Sequence, residues 1–106
     1  MELIIVKQAK KELKKAPKEV IQDVFALFED LMAGKNLGLP ISRPLPSIAK
    51  GLHELRLSGR SGEFRVFYVI RIKQAIYVVH ATKKKTQKMD KKTQELIKSR
   101  LKDLGV

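Results

Sequence analysis

The sequence has 106 residues, of which 43% are hydrophobic, which is enough for one domain with a single core spanning residues 1–106. The absence of cysteine excludes a thiol nucleophile, a cysteine zinc site and a redox motif, and the apolar runs are too short for a membrane span or a secretion signal, so we expect a cytoplasmic protein. The net charge is +12 at pH 7, with +2 in residues 1–49 and +10 in residues 50–106, which indicates a polyanionic partner.

The first third of the chain predicts one strand and two helices. Residues 2–7 are an apolar run rich in isoleucine and valine, which is typical of a strand. Residues 8–15 are rich in lysine and have helical spacing, and Pro17 ends this segment because proline breaks the hydrogen bonding of a helix interior. A longer amphipathic helix begins at Lys18 and ends at Gly34.

The rest of the chain predicts a loop, three strands and a closing helix. The loop contains three prolines, and the closing helix begins after Asp90 and ends at Gly105. The strands are residues 52–58, 63–72 and 75–82, joined by short turns. Together the elements predict an α+β fold of order β-α-α-β-β-β-α, in which a four-stranded antiparallel sheet carries the helix pair on one face.

Side-chain alternation predicts a basic patch on the other face of this sheet. Arg56 and Arg65 have the parity of that face, and guanidinium groups hold phosphates well. Phe67 shares this parity and is placed to stack on a base. Lys83, Lys84 and Lys85 leave the last strand, and at least one of them is expected to point back over the same face. Crowded cations lower one another's pKa, so one of these three lysines is suited to carry a proton. Lys83 and the nearby Lys88 are further expected to contact RNA.

Two histidines and one aspartate are further candidates. His80 is either a general base beside the basic patch or a histidine whose hydrogen bonds are satisfied in the core. His53 has the parity of the apolar side of its strand, which favours a place in the core or at the hairpin edge. Asp90 is suited to cap the closing helix, and a part in the chemistry is the alternative. Two isolated histidines without cysteine give no metal signature, so we expect neither a metal nor a cofactor.

Three motifs in register carry a family resemblance. They are Leu-x-Glu-Leu-Arg at residues 52–56, Phe-Arg-Val-Phe-Tyr at residues 64–68, and His80 followed by the lysine-rich exit at residues 84–88. With this spacing the chain resembles the RelE/HigB superfamily of toxins from bacterial toxin–antitoxin modules, and in particular its phage-derived HigB-like branch. The resemblance implies a RelE-like fold and ribosome-dependent, metal-independent cleavage of mRNA. In that reaction a ribose 2′-OH attacks the adjacent phosphate and leaves a 2′,3′-cyclic phosphate.

The resemblance also implies roles for individual residues. Arg65 matches the family's arginine that stabilises the phosphate. Arg56 and Glu54 both match RNA-contacting positions, and Arg56 fits that role better. Lys84 or Lys85 matches a basic residue that assists proton transfer or the leaving oxygen. Thr82 stands where an aromatic residue is common in the family, and no residue aligns with an obvious general base.

The implied partners are the ribosome with its mRNA and a cognate antitoxin. The antitoxin is expected to be a helix-turn-helix protein resembling HigA, through which the pair binds operator DNA. Two alternatives keep the fold without the nuclease activity. Relatives resembling ParE bind DNA gyrase and lack the arginine–lysine phosphate site, and a plain basic domain would bind nucleic acid with a steep salt dependence but without cleavage.

Overall fold

The computed structural model describes residues 1–60, 62–70, 75–83 and 89–105, which form five strands and three helices. In chain order these elements are β1 (Glu2–Ile5), α1 (Lys7–Lys14), α2 (Lys18–Met32), β2 (Ser42–Pro44), β3 (Leu52–Gly59), β4 (Gly62–Ile70), β5 (Ala75–Lys83) and α3 (Lys91–Asp103). Of the helices in this part of the chain, none is long and apolar enough to cross a membrane.

The strands form one mixed sheet in the order β1-β5-β4-β3-β2. β3, β4 and β5 are antiparallel neighbours as predicted, but β1 runs parallel to β5. The prediction of a four-stranded antiparallel sheet is therefore wrong in the number of strands and in the direction of β1. β2 escaped prediction because it is three residues long and includes Pro44, which is tolerated only at a sheet edge. No hairpin joins β1 to β5, so no turn in the sequence fixes the direction of β1.

The helix pair covers one face of the sheet, as predicted. α1 contributes Ala9 and Leu13 to the core, and α2 contributes one stripe of residues at helical spacing. The buried core on this face consists of Ala9, Leu13, Ala16, Val20, Val24, Phe28, Leu31, Leu55, Leu57, Phe64, Val66, Tyr68, Ile76, Val78 and Ala81. The alternation of β3 and β4 was therefore predicted correctly on this face.

The opposite face is not open along its whole length, because α3 packs on it. Ile97 and Leu101 of α3 form a second buried cluster with Leu52, Phe67, Val69 and Val79 of the sheet. A β-bulge helps to build this cluster: Phe67 pairs with His80 but Tyr68 pairs with Val78, so the extra residue Val79 turns toward α3 as well. The basic patch predicted for this face is consequently confined to the end of the sheet near the β3–β4 hairpin.

The N-terminus of α3 is capped as the sequence predicts. The Asp90 carboxylate accepts a hydrogen bond of 2.7 Å from the backbone N–H of Thr93. We expect Asp90→Ala to lower the free energy of unfolding by about 1 kcal/mol and the Tm by about 4–6 °C, because an N–H at the helix start loses its acceptor. Thermal unfolding followed by circular dichroism measures the change. Asp90→Ser is one control, because serine also caps a helix. Asp103→Ala is a second control, because it removes an aspartate at the other end of α3 that is not the N-cap. Both variants are expected to have a Tm close to that of the parent protein.

Candidate functional site

Arg65 lies at the centre of the candidate site, on the same face of β4 as Phe67 but nearer the β3–β4 hairpin. Its side chain is only 5% exposed, and its Nη2 donates to Glu63 Oε2 at 2.8 Å. Its Nη1 is 3.6 Å from Glu54 Oε1, too long for a hydrogen bond. Among the described residues none accepts a hydrogen bond from the buried Nε or Nη1 of Arg65. Burying such donors without acceptors costs free energy, which an anion that reaches them through a local rearrangement would recover.

Arg56 and two glutamates complete a charged cluster around Arg65, which we call the arginine–glutamate cluster (Glu54, Arg56, Glu63 and Arg65). Arg56 is the direct cross-strand partner of Arg65, an arrangement of like charges that destabilises a sheet unless it is compensated. Glu54 compensates it, since its Oε1 is 4.0 Å from Arg56 Nε as well as near Arg65. The formal charges of the two glutamates balance those of the two arginines, so the basic patch predicted for this face has no net charge within this cluster. The sequence contained a sign of this, because Glu54 lies two residues before Arg56 and Glu63 two residues before Arg65, so each glutamate shares a sheet face with its arginine.

Phe67 does not lie on an open surface as predicted. It is 2% exposed, belongs to the cluster beneath α3 and stacks on His80 with ring centroids 5.7 Å apart. It shares the face of Arg65, so its parity was right, but a base has no access to it. The prediction that Phe67 stacks on RNA is therefore wrong, because the sequence did not show which face α3 covers.

The four predicted lysines are only partly located. Lys83 is exposed and pairs with Phe64, which places it on the face of the helix pair and away from Arg65. Thr82 is the β5 residue opposite Arg65 instead. Lys83 is therefore not the lysine of this run that points over the arginine face. Lys84, Lys85 and Lys88 lie outside the described residues, and their predicted roles stay predictions.

A second polar network, which the sequence did not reveal, links α1, β5 and α3. Glu12 of α1 accepts hydrogen bonds from both terminal nitrogens of Arg100 of α3, at 2.8 and 3.0 Å. The Glu12 Oε1 atom also accepts from the Ala81 backbone N–H at 3.2 Å and lies 3.0 Å from Nδ1 of His80. Arg100 Nη1 further donates to the carbonyl of Val79 at 2.9 Å. These contacts join segments far apart in sequence, so no local pattern predicts them.

The contacts of His80 determine which of its ring nitrogens carries the proton. Glu12 offers only acceptors, so Nδ1 of His80 carries the hydrogen and donates it to Glu12. Arg100 Nη1 also lies 3.3 Å from this nitrogen, but its two hydrogens already point to Glu12 and Val79. Burial lowers the pKa of His80 below its ordinary value of 6.5, and the attraction of Glu12 offsets this only in part. A neutral ring that is 8% exposed and bonded to Glu12 favours the satisfied histidine over the general base.

The pKa of Glu12 indicates the protonation state of this carboxyl group in the network. Burial by itself raises this pKa, but the hydrogen bonds from Arg100, the Ala81 N–H and the interaction with His80 together bring it below the ordinary value of 4.5. Glu12 is therefore ionised at neutral pH and paired with Arg100.

The remaining candidates have structural contacts. His53 is half-buried at the β2 edge, where Nδ1 lies 3.0 Å from the Gly51 carbonyl and the ring stacks on Tyr68 at 5.2 Å. Its parity thus gave the correct face, that of Tyr68, but it lies near the start of β3 and away from the β3–β4 hairpin. Among the residues that the structure describes, no group of three or more histidine, cysteine, aspartate and glutamate side chains is placed to hold a metal ion.

Known proteins match the chain in sequence and in fold. Residues 11–102 match the family described as Phage derived protein Gp49-like (DUF891). The fold is similar to that of E. coli toxin RelE in the free state, a double arginine-to-alanine mutant, at 19% identity and a TM-score of 0.51, over 97% of this chain and 96% of that chain. The intact E. coli RelBE toxin–antitoxin complex contains a chain that matches at 21% identity and a TM-score of 0.48, over 80% of this chain and 98% of that one.

No curated protein sequence matches the chain significantly. The family match confirms the resemblance to the phage-derived branch. The likeness to free RelE confirms an α+β, RelE-like fold, with the mixed five-stranded sheet described above.

Proposed function

Because the chain belongs to the Phage derived protein Gp49-like family, we propose that it is the toxin of a toxin–antitoxin module and cleaves mRNA on the ribosome, thereby inhibiting translation. The observation that carries this proposal is the buried Arg65 guanidinium with hydrogen-bond donors that no described residue uses. A phosphate offers acceptor oxygens to such donors, and arginine stays charged even when it is buried. The position of this arginine also matches the phosphate-stabilising arginine that the family resemblance implies.

The proposed reaction is a transesterification within the RNA. The ribose 2′-OH attacks the adjacent phosphorus, the bond to the 5′-oxygen of the next nucleotide breaks, and a 2′,3′-cyclic phosphate and a 5′-OH remain. The negative charge grows on the phosphate oxygens, so Arg65 contributes most when it contacts them in the transition state. Arg56, which is half-buried at the same end of the sheet, is suited to hold a neighbouring phosphate.

Proton transfer is assigned by resemblance to the basic exit of β5. Lys84 or Lys85 delivers the proton that the leaving 5′-oxygen needs, and Lys88 adds an RNA contact. The chain offers no obvious base for the 2′-OH, which fits an enzyme that depends on the ribosome to hold the RNA in a reactive geometry. Such positioning contributes roughly 7–11 kcal/mol at best. We further propose that a helix-turn-helix antitoxin resembling HigA neutralises the protein and brings the pair to operator DNA.

The ribosome requirement gives a direct test. On induction of the chain in bacteria, we expect cleavage sites within translated reading frames, with new 5′-OH ends, because only ribosome-bound mRNA is held in the reactive geometry. Sequencing of RNA 5′ ends maps the sites. A second message whose start codon is removed serves as a matched, untranslated control and is expected to stay intact. Equal cleavage of both messages, or of naked RNA in vitro, would contradict the ribosome requirement. Growth arrest with gyrase-linked DNA breaks and intact mRNA would favour the ParE-like alternative.

A further inference from the structure

The outward face of α1 carries a dense group of lysines that the proposed cleavage does not use. Counted along the helix, Lys7, Lys10, Lys11 and Lys14 follow the i, i+3, i+4, i+7 spacing of a single helix face, and Lys15 at the C-cap continues it. All five are exposed. We call these five residues the lysine face.

The charge of the lysine face is not compensated by neighbours. None of the five lysines forms an ion pair or a side-chain hydrogen bond with any residue that the structure describes. Glu12 is the acidic residue of this segment, and its carboxylate is bonded to Arg100, Ala81 and His80 on the inner side. Like charges three and four residues apart repel each other on a helix, so the lysine face disfavours folding of α1 on its own. A bound polyanion removes that repulsion.

The composition of α1 argues against lipid and against base-specific recognition. The apolar side of the helix, with Ala9 and Leu13, is buried in the core and is not free to enter a membrane. Lysine ammonium groups act as point charges and do not read base edges as paired donors and acceptors do. The chemistry that fits is therefore a phosphate backbone contacted without regard to sequence.

The position of the lysine face indicates a large folded partner. α1 packs on the sheet face opposite Arg65, and the molecule measures 36 × 32 × 26 Å. One extended mRNA strand lying over Arg65 does not reach the far side of the sheet. A folded RNA that surrounds the protein contacts both sides.

We propose that the lysine face of α1 binds the phosphate backbone of folded RNA, as a contact separate from the Arg65 site. This inference rests on the proposed function for the identity of that RNA, which we take to be ribosomal. The lysine face then contributes to holding the protein on the ribosome, while Arg65 acts on the message.

The test compares two triple variants with the same change of charge. Lys7→Gln/Lys11→Gln/Lys14→Gln removes the centre of the lysine face, and Lys50→Gln/Lys98→Gln/Lys102→Gln removes three exposed lysines elsewhere. Both are made in an Arg65→Ala background, so that binding is measured without cleavage. The probes are isolated ribosomes, a short mixed-sequence RNA duplex, the DNA duplex of the same sequence and phosphatidylserine vesicles. Affinity is measured between about 50 and 200 mM salt.

For ribosomes and the RNA duplex, we expect the lysine-face variant to bind about tenfold more weakly or worse at low salt. The slope of log affinity against log salt should shrink by about 2 to 3, since three phosphate contacts are lost. The control triple variant should change both quantities much less, and both variants should keep the parent's circular dichroism and Tm.

Equal effects of the two triple variants on RNA would overturn the inference, because net charge alone would then explain binding. A loss confined to DNA or to vesicles would overturn it in favour of that partner. If the lysine-face variant loses RNA binding while the parent protein cleaves no mRNA, the inference stands and the proposed nuclease function fails. If the parent cleaves mRNA and the lysine-face variant binds ribosomes normally, the inference alone fails.

Discussion

Replacing Arg65 with alanine is expected to abolish growth arrest on induction and to slow mRNA cleavage at least about 10²-fold. The expectation follows from the burial of this guanidinium and from its Nε and Nη1 donors, for which the described residues offer no acceptor. Removing one preorganised donor from a developing oxyanion commonly costs about 10²–10³ in rate, and here the donor is also charged. Colony counts after induction and cleavage of a ribosome-bound message in vitro measure the two effects.

Two further variants show whether an effect of Arg65→Ala comes from the position of Arg65 in the site or only from the loss of a positive charge. Arg60→Ala makes the same substitution at an exposed hairpin arginine and is expected to stay toxic. Arg65→Lys keeps the charge but loses the planar donor array, and we expect cleavage between that of the parent and that of Arg65→Ala. Because Arg65 is ion-paired with Glu63, circular dichroism and urea unfolding must show that each variant is folded. A folded Arg65→Ala protein that arrests growth as strongly as the parent would remove Arg65 from the site.

Replacing Glu12 with alanine is expected to lower the free energy of unfolding by about 2–4 kcal/mol. The change leaves Arg100 and the Ala81 N–H partly buried without their acceptor. Breaking a fully buried ion pair costs about 3–5 kcal/mol, and the expected value is smaller because Glu12 and Arg100 are 22% and 15% exposed. Urea unfolding measures the loss. Glu29→Ala makes the same substitution at an exposed site on α2 and should change stability by no more than about 0.5 kcal/mol.

A double-mutant cycle shows whether the loss comes from the pair itself. Glu12→Gln and Arg100→Gln are each expected to destabilise the protein, and the double variant to lose less than the sum of the two. The reason is that each single variant leaves the charge of its partner unpaired in a half-buried position, whereas the double variant has two neutral amides there. Strictly additive losses would show that Glu12 and Arg100 stabilise the fold independently and would contradict the described network.

The same network predicts loss of stability in acid. The pKa of Glu12 is lower in the folded state than its ordinary value of 4.5. The ionised carboxylate therefore stabilises the fold fully above about pH 4.5, and this stabilisation is lost as the pH falls through the pKa of the folded state. The pKa of His80 is lowered as well, so the unfolded chain takes up this proton first as the pH drops below about 6.5, which also disfavours the folded state. Both groups act in the same direction. Glu12→Gln should remove the acidic part of the decline in urea midpoint and keep the part that begins near pH 6.5.

The sequence was sufficient where a structural rule is local. Alternation along β4 assigned Arg65 and Phe67 to one face and Val66 and Tyr68 to the other, and the structure agrees. The cap at Asp90 was predicted because a side-chain acceptor at this position binds a nearby N–H. Each of these features depends on residues a few positions apart.

The sequence was insufficient where distant segments meet. It did not show which face α3 covers, and this is why Phe67 was placed on an open surface. It did not show that Glu12 contacts Arg100, because each of them is an ordinary charged residue of a helix within its own segment. Counting charge by halves also hid the lysine face, because the acidic residues of α2 cancel its charge in the total while lying on another helix.

The parallel pairing of β1 with β5 bears on how the protein is made. Glu2 pairs with Ala75, so the first strand leaves the synthesising ribosome long before the strand beside it has been translated. Until then α1 and α2 lack much of the sheet on which they pack, since Ile76, Val78 and Ala81 of β5 belong to their core. Pairings so distant in sequence form late, after most of the chain has emerged. A protein that we propose cleaves mRNA on the ribosome therefore cannot complete its fold until β5 has left the ribosome that produces it.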